Sequence, residues 1–413
     1  MSRRAGRRIV AFACVAPLFA AACADAPTGS DPADDSLLAR ALAAGLAPMP
    51  TEPVRPVENP YDSARVALGH LLFFDPILSG PRDVACSTCH LPRFAFADGR
   101  QFPSGAGATG LGPSRTDPEP PPLRLMPRNS PTVFNVGLFG RMSSEPSVNG
   151  AMFWGGNAFG LEDQVLNPIS ADNELRGLTY AKAVALDSVL ARLRAIPEYV
   201  DRFADAYPAV VDVYGRDPAM LIHRTTLRRA IAAYLRELVT PNAPIDAFLR
   251  GDADALTAQQ KAGLELFIGK ANCVACHRGP NLSDFDFHVL GVLQEGLGRD
   301  TTPEDDLGWG EHGGTRYAFR TAPLRQVALT APYFHAGTAE SLEEVIRFKN
   351  VARSEHEKVA PEDLAPEFRP LGLTDAEIAD LVAFLHALTD TITIKEPLFL
   401  APARVPSGLP IPK

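Results

Sequence analysis

Two short segments of the chain carry the same arrangement of thiols and an imidazole. They are Cys86-Ser-Thr-Cys89-His90 and Cys273-Val-Ala-Cys276-His277, and they use every cysteine beyond residue 23. Two thiols one helical turn apart can both form thioethers to one porphyrin edge. The histidine that follows can then reach the iron as its proximal ligand. The spacing predicts two covalently bound haem c groups.

Two other readings of these cysteines are weaker. A structural zinc site needs four ligands as two close pairs within one small module. Here the pairs are separated by nearly half of the 413 residues. A thioredoxin-like redox pair would leave the histidine after both pairs unexplained. Haem attachment accounts for all the residues of both motifs.

Length and composition are those of a globular protein with more than one core. A chain of 413 residues favours two domains, and 46% hydrophobic with 22% charged residues is ordinary for a globular chain. The net charge of -9 argues against nucleic acid as a partner. The sequence therefore predicts two haem domains and no nucleic-acid binding.

The first residues have the pattern of an export signal. Four arginines precede a short apolar run from Ile9 to Ala22 that is too brief to span a bilayer. Cys23 follows three alanines and could carry a lipid anchor, the one membrane attachment we consider; ordinary cleavage nearby is the alternative. We expect a signal peptide at residues 1–22 and a periplasmic location, because bacteria attach haem c outside the cytoplasm.

The remaining chain is predicted to be mainly α-helical with long loops. Apolar residues recur at helical spacing over Ser63–Phe74, and Thr257 with Gln260 forms a capping box before the second haem motif. The Gly- and Pro-rich segment 102–131 is predicted to be a long loop. We expect a flexible tether at 23–58, haem domains at 59–250 and 251–392, and a tail at 393–413.

An ordered set of further motifs resembles the bacterial di-haem cytochrome c peroxidase family, including its MauG-like branch. The matching stretches are 68–75, 86–90, 127–135, 153–156, 273–277, 322–325 and 332–337. The resemblance covers about residues 60–392 and implies two cytochrome c-like haem domains. It also implies that peroxide reacts at the N-terminal haem and that the C-terminal haem passes electrons.

The resemblance assigns further site residues by their positions. Glu174 and Gln164 match the family's distal acid and amide, and Trp154 matches an indole between the two haems. A similar calcium site would use the Asn129 side chain with the backbone oxygens of Thr330 and Pro332, which are hard donors that suit calcium. Splitting the peroxide bond needs one group that first accepts and then returns a proton. A buried carboxylate with a raised pKa can do both.

The chain departs from the family pattern at both irons. The loop 102–127 lacks the histidine that ordinary members use to cap the N-terminal haem. We therefore expect an open site, with Met126 as the side chain that could close it. At the C-terminal haem the family has methionine or tyrosine where this chain has Lys349. Lys349, His356 or no strong sixth ligand are the alternatives there.

The sequence thus favours a periplasmic di-haem peroxidase that acts on hydrogen peroxide. Its electrons would come from a small cytochrome c, a cupredoxin or a protein substrate. The missing loop histidine favours the MauG-like branch, in which residues of a partner protein are oxidised. A two-haem electron carrier without catalysis is the alternative from another class, and a thiol-based metal protein is a third.

Overall fold

The computed structural model describes residues 32–116, 125–138, 150–294 and 306–412. The fold is mainly α-helical with long loops, as predicted. The helices are α1 (Pro32–Ala43), α2 (Ser63–Phe74), α3 (Cys86–Cys89), α4 (Leu161–Gln164), α5 (Asn167–Ser170), α6 (Ala185–Arg194), α7 (Pro197–Ala206), α8 (Pro208–Tyr214), α9 (Pro218–Leu221), α10 (Arg224–Arg236), α11 (Pro244–Leu249), α12 (Ala258–Ile268), α13 (Leu342–Val351) and α14 (Asp375–His386). Strand β1 (Ala151–Met152) pairs antiparallel with β2 (Ala158–Phe159), and β3 (Phe287–Val289) pairs antiparallel with β4 (Ala318–Arg320). The expected signal peptide and Cys23 lie outside the described residues.

The helix before each haem motif crosses the last long helix of its domain at very close range. A Cβ added to Gly69 in α2 would lie 2.0 Å from the carbonyl oxygen of Ala230 in α10. The same change at Gly263 in α12 would bring it to 2.0 Å from the carbonyl oxygen of Asp380 in α14. Two halves with little sequence in common therefore use the same helix crossing to position their haem motifs.

Local capping signals locate the helices of the second domain. The Thr257 hydroxyl accepts a hydrogen bond from the Gln260 amide at 3.2 Å, and the Gln260 side chain accepts one from the Thr257 amide at 2.9 Å. The corresponding pair at Thr374 and Glu377 starts α14 in the same way. These caps satisfy amides that a helix start leaves without partners, which explains why the predicted start of α12 is confirmed.

The two hydrophobic cores place the domain boundary earlier than expected. Leu238 belongs to the first core, whereas Ala243 and Ile245 belong to the second. Helix α11 therefore packs into the C-terminal domain, although the predicted boundary at residue 250 assigned it to the N-terminal one. Sequence periodicity could not show this, because α11 is apolar on a face that either core could bury.

The two ends of the described chain each pack on the domain at the opposite end of the sequence. Leu37 and Ala41 of α1 are buried in the second core, so the predicted flexible tether is corrected from residue 32 onward. Phe399 of the C-terminal tail is buried in the first core, and the Ser407 hydroxyl donates to Asp75 at 2.6 Å. The terminal segments thereby link the two domains.

Within the described ranges, we find no helix with the length and apolar character needed to cross a bilayer.

Candidate functional site

The N-terminal motif presents its histidine in the tautomer that metal binding requires. Helix α3 carries Cys86 and Cys89, and His90 follows at its end. The His90 Nδ1–H donates to the carbonyl oxygen of Phe96 at 3.0 Å, which leaves Nε2 as the nitrogen with a free lone pair in the neutral ring. Burial lowers the pKa of His90, so its ring is neutral. A neutral imidazole with Nδ1 engaged is the form that ligates iron.

The C-terminal motif reaches the same arrangement through a different local chain path. The His277 Nδ1–H donates to the carbonyl oxygen of Leu282 at 2.9 Å. Burial lowers the pKa of His277 to about 4, so this ring is also neutral. None of the four motif cysteines is paired in a disulfide. Both donor sets fit the covalent attachment and proximal ligation of haem c.

A large cavity lies against the N-terminal motif. It has a volume of about 950 Å³ and is lined by His90, Met126, Gln164 and Glu174. A smaller cavity of about 80 Å³ shares these four residues and extends to Cys86 and Cys89. The predicted thioether positions, proximal ligand and distal residues of this haem therefore surround two cavities that share four lining residues, although nearly ninety positions separate them in sequence.

Glu174 faces this cavity from a position that is otherwise enclosed by protein. Burial raises the pKa of Glu174 to about 7. Glu174 is partly accessible and borders the cavity. A carboxyl with a pKa near neutrality can both accept and return a proton. Gln164 lines the same cavity and offers an amide that can bind a small polar molecule.

A second cavity lies beside the C-terminal motif. Its volume is about 220 Å³, and Cys276, His277, Lys349 and His356 are among its lining residues. Burial lowers the pKa of Lys349 to about 8, which reduces the cost of the neutral amine that metal ligation needs. The His356 Nδ1 accepts a hydrogen bond from the Lys358 amide at 3.2 Å. Both candidate sixth ligands, Lys349 and His356, therefore line this cavity.

A thin wall separates the two cavities and contains the predicted bridging indole. Both cavities are lined by the segment 129–132 together with Trp154 and Arg320. The Trp154 Nε1–H donates to the Asn129 carbonyl oxygen at 2.9 Å, and the Arg320 amide donates to the Trp154 carbonyl oxygen at 2.9 Å. These bonds hold the indole between the haem sites, where the resemblance implies that it lies.

The three residues of the predicted calcium site lie at one cavity. Asn129, Thr330 and Pro332 all line the C-terminal cavity. The Asn129 side-chain amide donates to the Arg100 carbonyl oxygen at 2.7 Å, which leaves its Oδ1 for a cation. One amide oxygen and two backbone carbonyls are hard donors that fit calcium. The calcium site stays a prediction.

Two further ion pairs hold this region together, and sequence reasoning missed the one between Arg128 and Asp306. Arg128 donates from Nε and Nη2 to the two carboxylate oxygens of Asp306, at 2.7 and 2.5 Å, and fixes the segment that forms the wall. His288 lies 3.1 Å from Asp284, and this contact is the largest cause that raises the pKa of His288 to about 10. Arg128 and Asp306 are 178 positions apart, so no local pattern predicts that they pair.

Two domains that each position a Cys-x-x-Cys-His motif at a cavity, with an indole between them, define a two-haem c-type protein. The family described as di-haem cytochrome c peroxidase matches residues 63–254. The chain is 34% identical to the cytochrome-c peroxidase IdrP1 of Denitromonas iodatirespirans, over 87% of this chain and 89% of the relative. It is 33% identical to the methylamine utilization protein MauG of Methylorubrum extorquens, over 81% of this chain and 80% of that protein.

A solved structure of a MauG-like protein associated with microbial copper homeostasis superposes with a TM-score of 0.68. The two sequences are 30% identical, and the alignment covers 86% of this chain and 97% of that one. The chain therefore belongs to the di-haem cytochrome c peroxidase family. The family implies two haem c groups and oxidoreductase chemistry.

Proposed function

We propose that this protein is a periplasmic di-haem peroxidase that reduces hydrogen peroxide. Its electrons come from a small cytochrome c or cupredoxin. The observation that carries the proposal is the enclosed Glu174 carboxyl in the same cavity as His90 and Gln164. The periplasmic location rests on the N-terminal arginines and the apolar run after them, and on the site of haem c attachment in bacteria.

The residues divide the work of peroxide reduction. When bound, the N-terminal haem supplies the iron at which peroxide is reduced. The Gln164 side chain holds peroxide by hydrogen bonding. Glu174 accepts a proton from one peroxide oxygen and returns it to the other, so that the departing oxygen leaves as water. Trp154 lies between the cavities and couples the two sites for the delivery of electrons.

A stoichiometric assay tests the proposed activity. Reduction of one hydrogen peroxide to two waters takes up two protons and two electrons, so two equivalents of a one-electron donor are oxidised for each peroxide. We expect the fully haem-loaded protein to oxidise reduced cytochrome c or cupredoxin in this ratio. Electron exchange with the donor but no peroxide-dependent oxidation would instead support a two-haem electron carrier.

A MauG-like oxidation of a partner protein is the second candidate function. It is favoured by the loop 102–127, which has no histidine to close the N-terminal site. The two functions differ in the source of the electrons. Peroxide-dependent oxidation of residues in a co-purifying protein, detected as mass changes of its peptides, would favour this second function. Oxidation of a small soluble donor alone would favour the first.

An open N-terminal haem site is expected in the resting protein. Met126 is the side chain in the predicted long loop that lines this cavity and could ligate iron through its thioether. Its amide donates to the Pro103 carbonyl oxygen at 3.1 Å, so its backbone is held at the cavity edge. We expect one high-spin ferric haem by electron paramagnetic resonance, with the same spectrum in Met126→Leu. Two low-spin haems in the parent and one in the variant would assign Met126 as a ligand instead.

Lys349 is proposed as the sixth ligand of the C-terminal haem. Lys349 lines the His277 cavity, and its amine lies 5.4 Å from the Phe368 ring centroid. We expect Lys349→Ala to convert this haem from low spin to high spin, whereas His356→Ala leaves the spectrum unchanged. The reverse result would assign His356, and two unchanged spectra would exclude both side chains.

A further inference from the structure

Residues 102–106, at the start of the segment that lacks the family's histidine, are packed between the N-terminal haem motif and Glu174. Residues 102–106 are buried without interruption. The Ser104 carbonyl oxygen lies 3.9 Å from the Cys89 sulfur on one side. On the other side, the Ala106 amide donates to the Glu174 carbonyl oxygen at 2.8 Å. The loop therefore joins the haem attachment site to the backbone of the proposed acid–base residue.

Gly105 allows the loop to approach Glu174 this closely. A Cβ added at Gly105 would lie 2.2 Å from the Asn173 carbonyl oxygen and 2.4 Å from that of Glu174. Both distances are shorter than any ordinary carbon–oxygen contact, so a side chain here would displace the 173–174 backbone. From the opposite direction, the Gly80 amide donates to the Leu175 carbonyl oxygen at 2.8 Å. The backbone around Glu174 is therefore held from two sides.

One buried arginine fixes the shape of this loop. Arg115 is only 6% exposed. It donates from Nε to Ser104, from Nη2 to Gly105 and from Nη1 to Gly110, each carbonyl oxygen at 2.7 Å. A guanidinium presents several donors in a fixed plane, whereas an ammonium is a single point with freely rotating donors. Arginine can therefore hold these three carbonyls together in a way that lysine cannot.

We propose that Arg115 is a positioning residue for the Glu174 carboxyl, acting through the Ser104–Ala106 backbone. The inference rests on the proposed function of Glu174 as the group that moves the peroxide protons. In this role, the backbone of residues 104–106 holds the backbone of Glu174 in place through the Ala106 amide. A misplacement of about 1 Å at such a group can lower a rate by about 100-fold, so the support matters for turnover.

Amide hydrogen exchange of the haem-loaded ferric protein tests the contact without any turnover. We expect the Ala106 amide to be protected in the parent and to exchange at least ~10-fold faster in Arg115→Lys and Gly105→Ala, because opening of the loop exposes it. Arg93→Lys is the matched control, since the exposed Arg93 donates to the Leu111 carbonyl oxygen at 3.3 Å from outside the loop. An Ala106 amide that exchanges freely in the parent would overturn the inference.

Kinetics then separate positioning from general damage. With rates expressed per bound haem, we expect peroxide turnover in Arg115→Lys and Gly105→Ala to fall by ~10- to 100-fold, while KM for the electron donor stays at the parental value. Faster Ala106 exchange with parental turnover in both variants would reject a positioning role for Arg115. If Glu174→Gln retains full turnover, the proposed function fails instead, whatever the exchange data show.

Discussion

Replacing Glu174 by glutamine is expected to lower peroxide turnover by a factor of about 10² to 10⁴. Glutamine keeps the size and hydrogen-bonding capacity of the side chain but can neither accept a proton from peroxide nor return one. The variant should fold and bind both haems as the parent does, because burial of an uncharged amide in the same cavity adds no charge. Stopped-flow oxidation of a reduced cytochrome, expressed per haem, measures the loss.

The same residue predicts a pH dependence with a definite sign. Burial raises the pKa of Glu174 to about 7, so the carboxylate that accepts the first proton is present above that pH and is lost below it. Turnover should therefore fall as the pH decreases through about 7, and this acidic limb should be absent from the residual activity of Glu174→Gln. A limb that persists unchanged in the variant would assign the titration to another group.

Glu198→Gln is a suitable control for this comparison. Glu198 lies on the surface in α7 and forms ion pairs with Arg404 and Arg202, away from either cavity. We expect its replacement to leave peroxide turnover unchanged. Equal rates for the parent, Glu174→Gln and Glu198→Gln, with full haem content in each, would contradict the catalytic role of Glu174.

Replacing Asp246 by alanine is expected to destabilise the protein by about 3–5 kcal/mol. Asp246 is completely buried and accepts hydrogen bonds from Arg325 at 2.9 Å and from the Met49 amide at 2.7 Å. Burial raises the pKa of Asp246, while the adjacent Arg325 charge opposes the shift. Removal of the carboxylate leaves the Arg325 cation buried without its counter-charge, which is the costly outcome.

The loss should also release the terminal segment that Asp246 holds. The Arg325 guanidinium donates to the Ala47 carbonyl oxygen at 3.3 Å. The two members of the buried ion pair thus hold residues 47–49 through the Ala47 carbonyl and the Met49 amide. Denaturant unfolding gives the stability change, and limited proteolysis after α1 reports the release. A midpoint and cleavage pattern equal to the parent's would show that the packing of α1 alone is sufficient.

Glu265→Ala provides the control, because it breaks an exposed ion pair between α1 and the second domain. The Arg40–Glu265 contact is 2.5 Å long, but the two side chains are 53% and 52% exposed. Exposed pairs contribute about 0–1 kcal/mol, since water solvates both charges once they separate. We therefore expect a small effect here, in contrast to the effect at Asp246.

The sequence alone determined the features whose residues are contiguous or nearly so. Cys-x-x-Cys-His specifies haem attachment because its two thiols lie one helical turn apart and the imidazole is on the next residue. The capping pair Thr257 and Gln260 specifies where α12 begins, because its donors and acceptors are three residues apart. The family followed from an ordered set of such local motifs.

Only the tertiary structure decided which distant residues share a space. Glu174 and Gln164 meet His90 at one cavity, and its enclosure rather than any neighbour in sequence raises the pKa of Glu174. The packing of α1 on the second domain and of the tail on the first was also decided there. Apolar periodicity shows that a segment has a face to bury but cannot identify the core that buries it, because that choice depends on contacts between residues hundreds of positions apart.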